Sequence, residues 1–151
     1  MNVPRTIRYV AKIKHVRELS LVSSADFNFW AEYLQAERLM PVRCGEAAQI
    51  MIVAAEMAYF GIRFTEVSFS VRVRSIREQP REGMRLLHAF TSSRLFSWCE
   101  RTMFSTPYSY ANCHLSIGTS NLVQVSESGV SIFDTEMSTA KRLATRAGDE
   151  T

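Results

Sequence analysis

Residues 67–73 alternate strictly between apolar and polar side chains. The apolar members occupy the odd positions, namely Val67, Phe69, Val71 and Val73. Because successive side chains of a β-strand point to opposite faces, this segment predicts a strand with one face against a core. Ile62 and Phe64 have the opposite parity, and we therefore expect a β-bulge near Thr65 and Glu66.

Further strands are predicted on both sides of this one. Residues 47–55, AAQIMIVAA, are apolar on both alternating faces, which indicates a central strand, although so short a run also fits a helix segment. Gly61 then breaks the pattern. The remaining strand predictions lie within 5–22 and at 85–90, 108–117, 122–125 and 130–133, with hairpin turns at Gln79–Gly83 and Ser128-Gly129.

Two helices are predicted in the connections between strands. The first has Ser24 as its N-cap and Asp26 in its first turn, and it ends at about Met40, before a proline. Its apolar stripe is Phe27, Trp30, Ala31 and Leu34. The second helix runs from about Ser93 to Phe104, and its apolar stripe is Leu95, Trp98, Cys99 and Met103.

Many strands with two helices in the connections indicate an α+β, mainly β fold. No repeat, low-complexity tract or linker marks a second domain, so residues 1–151 are expected to form a single domain. The last part of it, residues 139–151, is a polar tail.

Composition excludes several classes of protein. With 46% apolar and 22% charged residues, the chain does not have the composition of a disordered protein. The N-terminus lacks the continuous apolar core of a secretory signal, and the nearly apolar run at residues 50–62 is too short to span a bilayer, so we expect a cytoplasmic protein without a membrane partner. Cys44, Cys99 and Cys113 fit no zinc spacing and are expected to be free, mostly buried thiols.

Charge and motifs narrow the functional classes further. A net charge of +3 is too small to favour nucleic acid as a partner, and the arginines at 72, 74, 77, 81 and 85 fit the protection of strand edges better. Phosphate-binding loops, dinucleotide fingerprints, nucleophile elbows and zinc-protease motifs do not occur, so we expect no cofactor and no metal. Cys113 and His114 are adjacent in a strand and point to opposite faces, which rules them out as a nucleophile–base pair.

The predicted strand at 108–117 carries the strongest candidate site. One face bears Tyr108, Tyr110, Asn112 and His114, and the other bears Ala111, Cys113, Leu115 and Ile117. Glu66 shares parity with Ser68 and Ser70 on its own strand. Such polar faces are most simply solvated. Two large tyrosine rings on one side nevertheless favour a packing partner, and inside a closed barrel a polar face lines a small-molecule pocket.

Two stretches resemble the acetoacetate decarboxylase superfamily. LMPVRCGEAAQIMIVAAEMAYFGIRFTEVSFSVRV, residues 39–73, is similar to the family's proline turn, apolar strand and aromatic-x-Glu step, with Glu66 at that step. SSRLFSWCERTMFSTPYSYANCHLS, residues 92–116, is similar to the active-site segment, in which an arginine precedes Pro-Lys-Lys by six positions, as Arg101 precedes Pro107 here. The resemblance covers about residues 20–135, and the chain is more similar to uncharacterised bacterial relatives of the decarboxylase than to the decarboxylase itself. It implies a strongly bent antiparallel sheet that closes into a barrel around a small pocket.

The resemblance also implies that the family's best-known reaction is lost. Tyr108 and Ser109 occupy the positions of the two family lysines. The chain has 15 arginines and only 3 lysines, at positions 12, 14 and 141. In the family, decarboxylation passes through a lysine imine, which a tyrosine cannot form. Family members are usually longer, so the resemblance implies a domain shortened at its C-terminal end.

Three functions of different class follow. The first is binding of a small carboxylate or acyl-type ligand, with Arg101 holding a carboxylate or orienting Glu66, and with Tyr108, Tyr110 and Asn112 lining the pocket. The second is a lyase-like or hydrolase-like enzyme without an imine, in which Glu66 or His114 is the general base and Tyr108 the proton donor. The third is an interaction or scaffold module whose open barrel edge pairs with another chain, including a second copy.

Overall fold

The computed structural model describes residues 13–59, 61–76 and 81–138, which form ten strands in two sheets and two α-helices. In chain order the elements are β1 (Lys14–Asp26), α1 (Phe27–Leu34), β2 (Leu39–Pro41), β3 (Arg43–Cys44), β4 (Ala47–Tyr59), β5 (Ile62–Ser75), β6 (Glu82–Thr91), α2 (Arg94–Met103), β7 (Tyr108–Tyr110), β8 (Asn112–Ser116), β9 (Ser120–Glu127) and β10 (Val130–Ser138). The prediction of a mainly β fold with two helices in the connections is confirmed. The polar tail at 139–151 and the first part of the 5–22 strand prediction lie outside the described residues.

The first sheet has the spatial order β1-β4-β5-β6-β7, with β2 added to β5 and β3 added to β4. Its pairings are antiparallel except for that of β6 with β7, so the expectation of a wholly antiparallel sheet is wrong at this edge. The chain crosses between β6 and β7 through α2, and a helical crossover returns the chain in the same direction. The second sheet, β10-β9-β8, is antiparallel. Within the described ranges neither sheet closes on itself.

The strand predicted from the alternation at 67–73 is part of the longer β5, and β4 is the central strand predicted from the apolar run. The β4–β5 register is continuous from Tyr59–Ile62 to Ile50–Val71, so the bulge predicted near Thr65 and Glu66 is wrong. The register shift of β5 lies against β6, between Phe69 and Ser70.

The change of parity along β5 has a packing cause. Phe64 is 5% exposed and stacks on Phe96 of α2, with ring centroids 4.9 Å apart. Val67, three residues on and on the opposite face, is fully buried against the second sheet. The two faces of β5 are therefore buried at different positions along the strand: α2 covers Phe64, and the second sheet covers Val67.

The N-cap of α1 differs from the predicted one. The Asp26 carboxylate accepts a hydrogen bond from the Phe29 N–H at 2.6 Å, whereas Ser24 still belongs to β1, where it pairs with Gln49. The helix also ends earlier than predicted, at Leu34, because residues 39–41 pair with β5 as β2.

Leu34 is the residue of α1 that completes the core. It is fully buried and packs against Val71 and Val73 of β5. The apolar stripe predicted for this helix thus includes the contact that fixes α1 to the sheet.

The second helix begins after Ser93, whose hydroxyl accepts a hydrogen bond from the Phe96 N–H at 3.3 Å. Its predicted apolar stripe is largely exposed: Leu95 and Trp98 are each 60% exposed and Met103 is 69% exposed. The helix instead turns Phe96 and Ser97 toward the sheet, because Phe64 and Tyr108 offer rings against which Phe96 packs.

The strand predicted at 108–117 is two strands separated by Ala111. Tyr108–Tyr110 pairs with β6 in the first sheet, and Asn112–Ser116 pairs with β9 in the second. At the break, the Ala111 N–H donates to the Thr91 carbonyl at 3.1 Å, and Ala111 is 1% exposed. The four polar residues predicted to share one face are therefore divided between two sheets.

The main core lies where the two sheets meet. It contains Ala54, Val67, Ala111, Leu115, Val123 and Val125. The hairpin predicted around Ser128-Gly129 is confirmed, with φ values of 51° and 81° at these two residues. Of the loop predicted at Gln79–Gly83, residues 79 and 80 lie outside the described ranges. In the part of the chain that the structure describes, no helix is both long and apolar enough to cross a membrane.

Candidate functional site

Glu66 and Tyr108, predicted separately from two strands, are brought into direct contact. The Tyr108 hydroxyl donates a hydrogen bond to Oε1 of Glu66 at 3.0 Å. The residue of β6 opposite Tyr108 is Ala89, which is fully buried. Its small side chain leaves room for the tyrosine to reach across β6 to β5.

The surroundings of this pair keep both groups protonated more readily than in water. Burial raises the pKa of the Glu66 carboxyl, the hydrogen bond from Tyr108 lowers it, and the charge of Glu100 raises it again. Burial and the carboxylates of Glu66 and Glu100 also raise the pKa of the Tyr108 hydroxyl. At neutral pH Tyr108 therefore retains its proton, and its hydroxyl donates the hydrogen bond to Glu66.

Cys113 lies near this pair, and burial together with the charge of Glu66 raises the pKa of its thiol to about 12. The neighbouring His114 is exposed on the other side of β8. Asn112 is exposed as well. The structure thus brings Glu66 and Tyr108 together but leaves His114 and Asn112 at the surface, away from the Glu66–Tyr108 contact.

Arg101 occupies a different place, on the solvent side of α2. It lines a groove of about 590 Å³ between α2, the end of β7 and the end of β9. We call this the arginine groove, and its lining is Arg94, Ser97, Trp98, Arg101, Thr102, Ser109, Tyr110 and Glu127. Among the described residues no ion pair joins Arg101 to Glu66. Of the predicted site residues, Arg101 and Tyr110 share this groove.

Arg94 and Trp98 are among the residues of the arginine groove that sequence reasoning missed. The Arg94 guanidinium carbon lies 4.8 Å from the centre of the Tyr110 ring, in cation–π contact. Trp98 is 60% exposed beside it. The available signal was the spacing of Arg94, Trp98 and Arg101, which is i, i+4, i+7 and places all three on one side of a helix.

A second pair beside the groove was also missed. His88 Nε2 and the Ser109 hydroxyl are 3.0 Å apart. Burial lowers the pKa of His88, and the charge of Glu127 partly offsets this effect. The imidazole is consequently neutral at physiological pH, and the pair fixes Ser109 at one wall of the groove.

A second groove, on the other side of α2, is mainly apolar. Its volume is about 620 Å³, and its lining includes Ile62, Phe64, Leu95, Phe96 and Phe104. Glu100 is the charged side chain of this lining. In the described part of the chain, no group of three or more His, Cys, Asp and Glu side chains is placed to hold a metal ion.

Comparisons with known proteins bear on the fold. No family model matches the chain, and no curated protein matches it in sequence. It is similar in structure to an acetoacetate decarboxylase from Legionella pneumophila subsp. pneumophila str. Philadelphia 1, with a TM-score of 0.65 and 17% sequence identity. The chain has an acetoacetate decarboxylase-like fold.

The match covers 94% of this chain and 56% of the Legionella chain. The acetoacetate decarboxylase-like fold thus extends over nearly all of the present sequence and spans little more than half the length of that protein. At this level of identity the likeness concerns the path of the chain.

Proposed function

We propose that this acetoacetate decarboxylase-like domain binds small molecules that carry a carboxylate, and that the arginine groove is the binding site. The observation that carries the proposal is that Arg94 and Arg101 face the same groove and that, within the described ranges, neither forms an ion pair with a carboxylate. Four other arginines, at 17, 43, 72 and 85, do form such pairs. A guanidinium that no protein carboxylate neutralises is available to a ligand.

The dimensions and the lining of the groove support this proposal. A volume of about 590 Å³ is within the range of small-molecule sites. Tyr110 and Trp98 supply aromatic surface beside the guanidinium groups. An acyl group attached to the carboxylate would pack on these rings while the carboxylate pairs with Arg101.

We further propose that binding proceeds without imine chemistry. The sequence has no lysine between residues 15 and 140, and Tyr108 stands where the resemblance places a reactive lysine. Tyr108, whose hydroxyl is hydrogen-bonded to Glu66, has no amine nitrogen and therefore cannot form an imine with a keto group.

We also infer that the two sheets form the walls of an acetoacetate decarboxylase-like barrel, with Ala111 at the point where the chain passes from one sheet to the other.

The Glu66–Tyr108 contact supports a second candidate, acid–base catalysis. A carboxyl group with a raised pKa that is hydrogen-bonded to a phenol can exchange a proton with a ligand. Neither side chain lines the arginine groove. The binding proposal therefore ranks first, and catalysis by this pair requires a ligand that reaches beneath α2.

Titration calorimetry with butyrate, 3-hydroxybutyrate and acetoacetate tests the binding proposal. We expect binding to the wild type and a loss of about tenfold in affinity in Arg101→Gln, because a charge-assisted pair is removed. Arg81→Gln is the matched control, since Arg81 is exposed and outside the groove, and the replacement keeps its backbone carbonyl, which accepts the hydrogen bond of the Ser75 N–H. Absence of binding by all three acids, or equal losses in both variants, contradicts the proposal.

Borohydride treatment in the presence of acetoacetate tests the proposal that binding proceeds without an imine. An imine would be reduced to a stable amine and would add mass to the chain. We expect the intact mass to remain that of the untreated protein. A covalent adduct on any lysine contradicts the proposal that binding proceeds without an imine.

A further inference from the structure

Resting on the proposed function, we propose that the ligand of the arginine groove is a dicarboxylate, with one carboxylate on Arg94 and the other on Arg101. The two arginines are seven residues apart on α2, which is a continuous helix from Arg94 to Met103. At the rise of an α-helix, seven residues separate the two Cα atoms by about 10 Å. Because the two side chains leave the helix about two turns apart and line the same groove, they offer two anion-binding groups, and a ligand with two carboxylates can bond to both at once.

The position of Arg94 is fixed by an aromatic ring. Its guanidinium lies over the Tyr110 ring, 4.8 Å from the ring centre. A guanidinium in cation–π contact uses its face for the ring and keeps its N–H donors, which lie in its plane, free for an anion. Arg94 is therefore held in place as an anion-binding group before any ligand arrives, which lowers the entropic cost of binding.

Trp98 supplies the surface between the two charges. It lies four residues after Arg94 and three before Arg101, on the same side of the helix, and it is 60% exposed. An exposed indole that follows one arginine and precedes the other along one side of a helix is suited to the methylene chain of a dicarboxylate, since the chain packs on the ring while its ends pair with the arginines. The exposure of Trp98 and the separation of the arginines are thus accounted for by one ligand.

Glu127 is the one acidic side chain in the lining of the arginine groove. Together with the two arginines it leaves a formal charge of +1, so the groove attracts anions, but Glu127 opposes the second carboxylate of a dianion. Its replacement by glutamine should therefore strengthen the binding of dicarboxylates more than that of monocarboxylates. This difference is a sign of a second anionic group that a merely solvated arginine would not produce.

The test is titration calorimetry of the full chain with butyrate, hexanoate, glutarate, adipate and suberate at low ionic strength. We expect the best dicarboxylate to bind about tenfold more tightly than either monocarboxylate, the gain typical of one added charge-assisted contact. Arg94→Gln should remove this advantage, because it should lower the affinity for dicarboxylates by more than the affinity for butyrate. Glu127→Gln should increase the advantage, and Arg81→Gln should leave all affinities as in the wild type.

Two results overturn the inference, and they can be told apart. If dicarboxylates and monocarboxylates bind with equal affinity, the second carboxylate has no partner, while the proposed binding of carboxylates stands. If none of the acids binds, the proposed function itself fails and the inference fails with it. Thermal melting of each variant shows whether the replacement, made at a solvent-exposed position, has left the fold intact.

Discussion

The hydroxyl of Tyr108 donates to Oε1 of Glu66 at 3.0 Å, and this hydrogen bond joins β7 to β5 across the intervening β6. It lies beneath α2, whose Phe96 ring contacts both the Tyr108 ring and the Phe64 ring. The contact thereby ties the short parallel strand at the sheet edge to a strand in its interior. The short strand β7 also contributes Tyr110 to the lining of the arginine groove.

Tyr108→Phe removes the donor and leaves a largely buried carboxylate short of one hydrogen bond. We expect a loss of about 1 kcal/mol in the free energy of unfolding at pH 7. Without this bond the pKa of Glu66 rises further, so the loss should shrink as the pH is lowered and Glu66 becomes neutral. Urea denaturation at pH 7 and at pH 4 measures both effects. The control is Tyr33→Phe at a residue 60% exposed, and an equal loss in the two variants would contradict the assignment.

Glu66→Gln should have the opposite pH dependence. Burial raises the folded-state pKa of Glu66 above its unfolded value, so the folded state binds the proton more tightly and Glu66 lowers stability as the pH rises from that unfolded value through the folded pKa. Glutamine still accepts the Tyr108 hydrogen bond but does not ionise. We expect the variant to gain stability relative to the wild type at pH 7 and to lose that gain near pH 4. A difference in melting temperature that is constant with pH contradicts this.

Asp26→Ala tests the N-cap of α1. The carboxylate accepts the hydrogen bond of the Phe29 N–H, and its removal should cost about 1 kcal/mol in unfolding free energy. Ser24→Ala is the matched control, because Ser24 lies in β1 and should be nearly silent. Chemical denaturation of both variants decides which residue is the cap.

Leu34→Ala and Leu95→Ala separate the packing of the two helices. Leu34 is fully buried, and its truncation should cost about 3 kcal/mol through lost burial and the cavity that remains. Leu95 is 60% exposed, so its truncation should change the unfolding free energy by less than about 0.5 kcal/mol. Similar losses in both would show that the apolar stripe of α2 is buried in solution.

Labelling with a thiol reagent should distinguish the cysteines. Cys44 is exposed, whereas Cys113 is partly buried and its thiol has a pKa raised to about 12. Because the thiolate is the reactive form, native Cys113 should react far more slowly than Cys44, and the two rates should become similar in urea. Mass spectrometry of partly labelled protein gives the order, with Cys44→Ser as the control. Early labelling of Cys113 would contradict the geometry around Glu66.

Many of the strands could be predicted because the order of apolar and polar residues along a strand follows which of its faces are buried. The alternation from Val67 to Val73 identified β5, and the doubly apolar run at 47–55 identified the central β4. Ser128-Gly129 identified the β9–β10 turn because both residues take positive φ there, which short turns require. The parity change within β5 was misinterpreted, since a bulge and a second buried face give the same pattern until the helix that covers that face is known.

Sequence patterns predicted some residues of the proposed site and missed or misplaced others. Arg101 and Tyr110 were predicted as ligand-binding residues, and the structure places them in one groove, together with Arg94 and Trp98, which were not predicted. Asn112 and His114 were grouped with the tyrosines by strand parity, but the chain changes sheets at Ala111. Periodicity holds only within one continuous strand, and a break that depends on a distant hydrogen bond to Thr91 leaves no local signal.

By itself the sequence determined most of the segments that form strands and helices, and the lack of any lysine between residues 15 and 140. Those follow from residue identity and from spacing along the chain. Only the tertiary structure decided that Glu66 reaches Tyr108, that Phe96 rather than Leu95 packs inward, and that Arg101 faces a groove apart from Glu66. Each of these contacts depends on which distant segment lies opposite the side chain. Spacing along a single sequence does not report which distant segments meet.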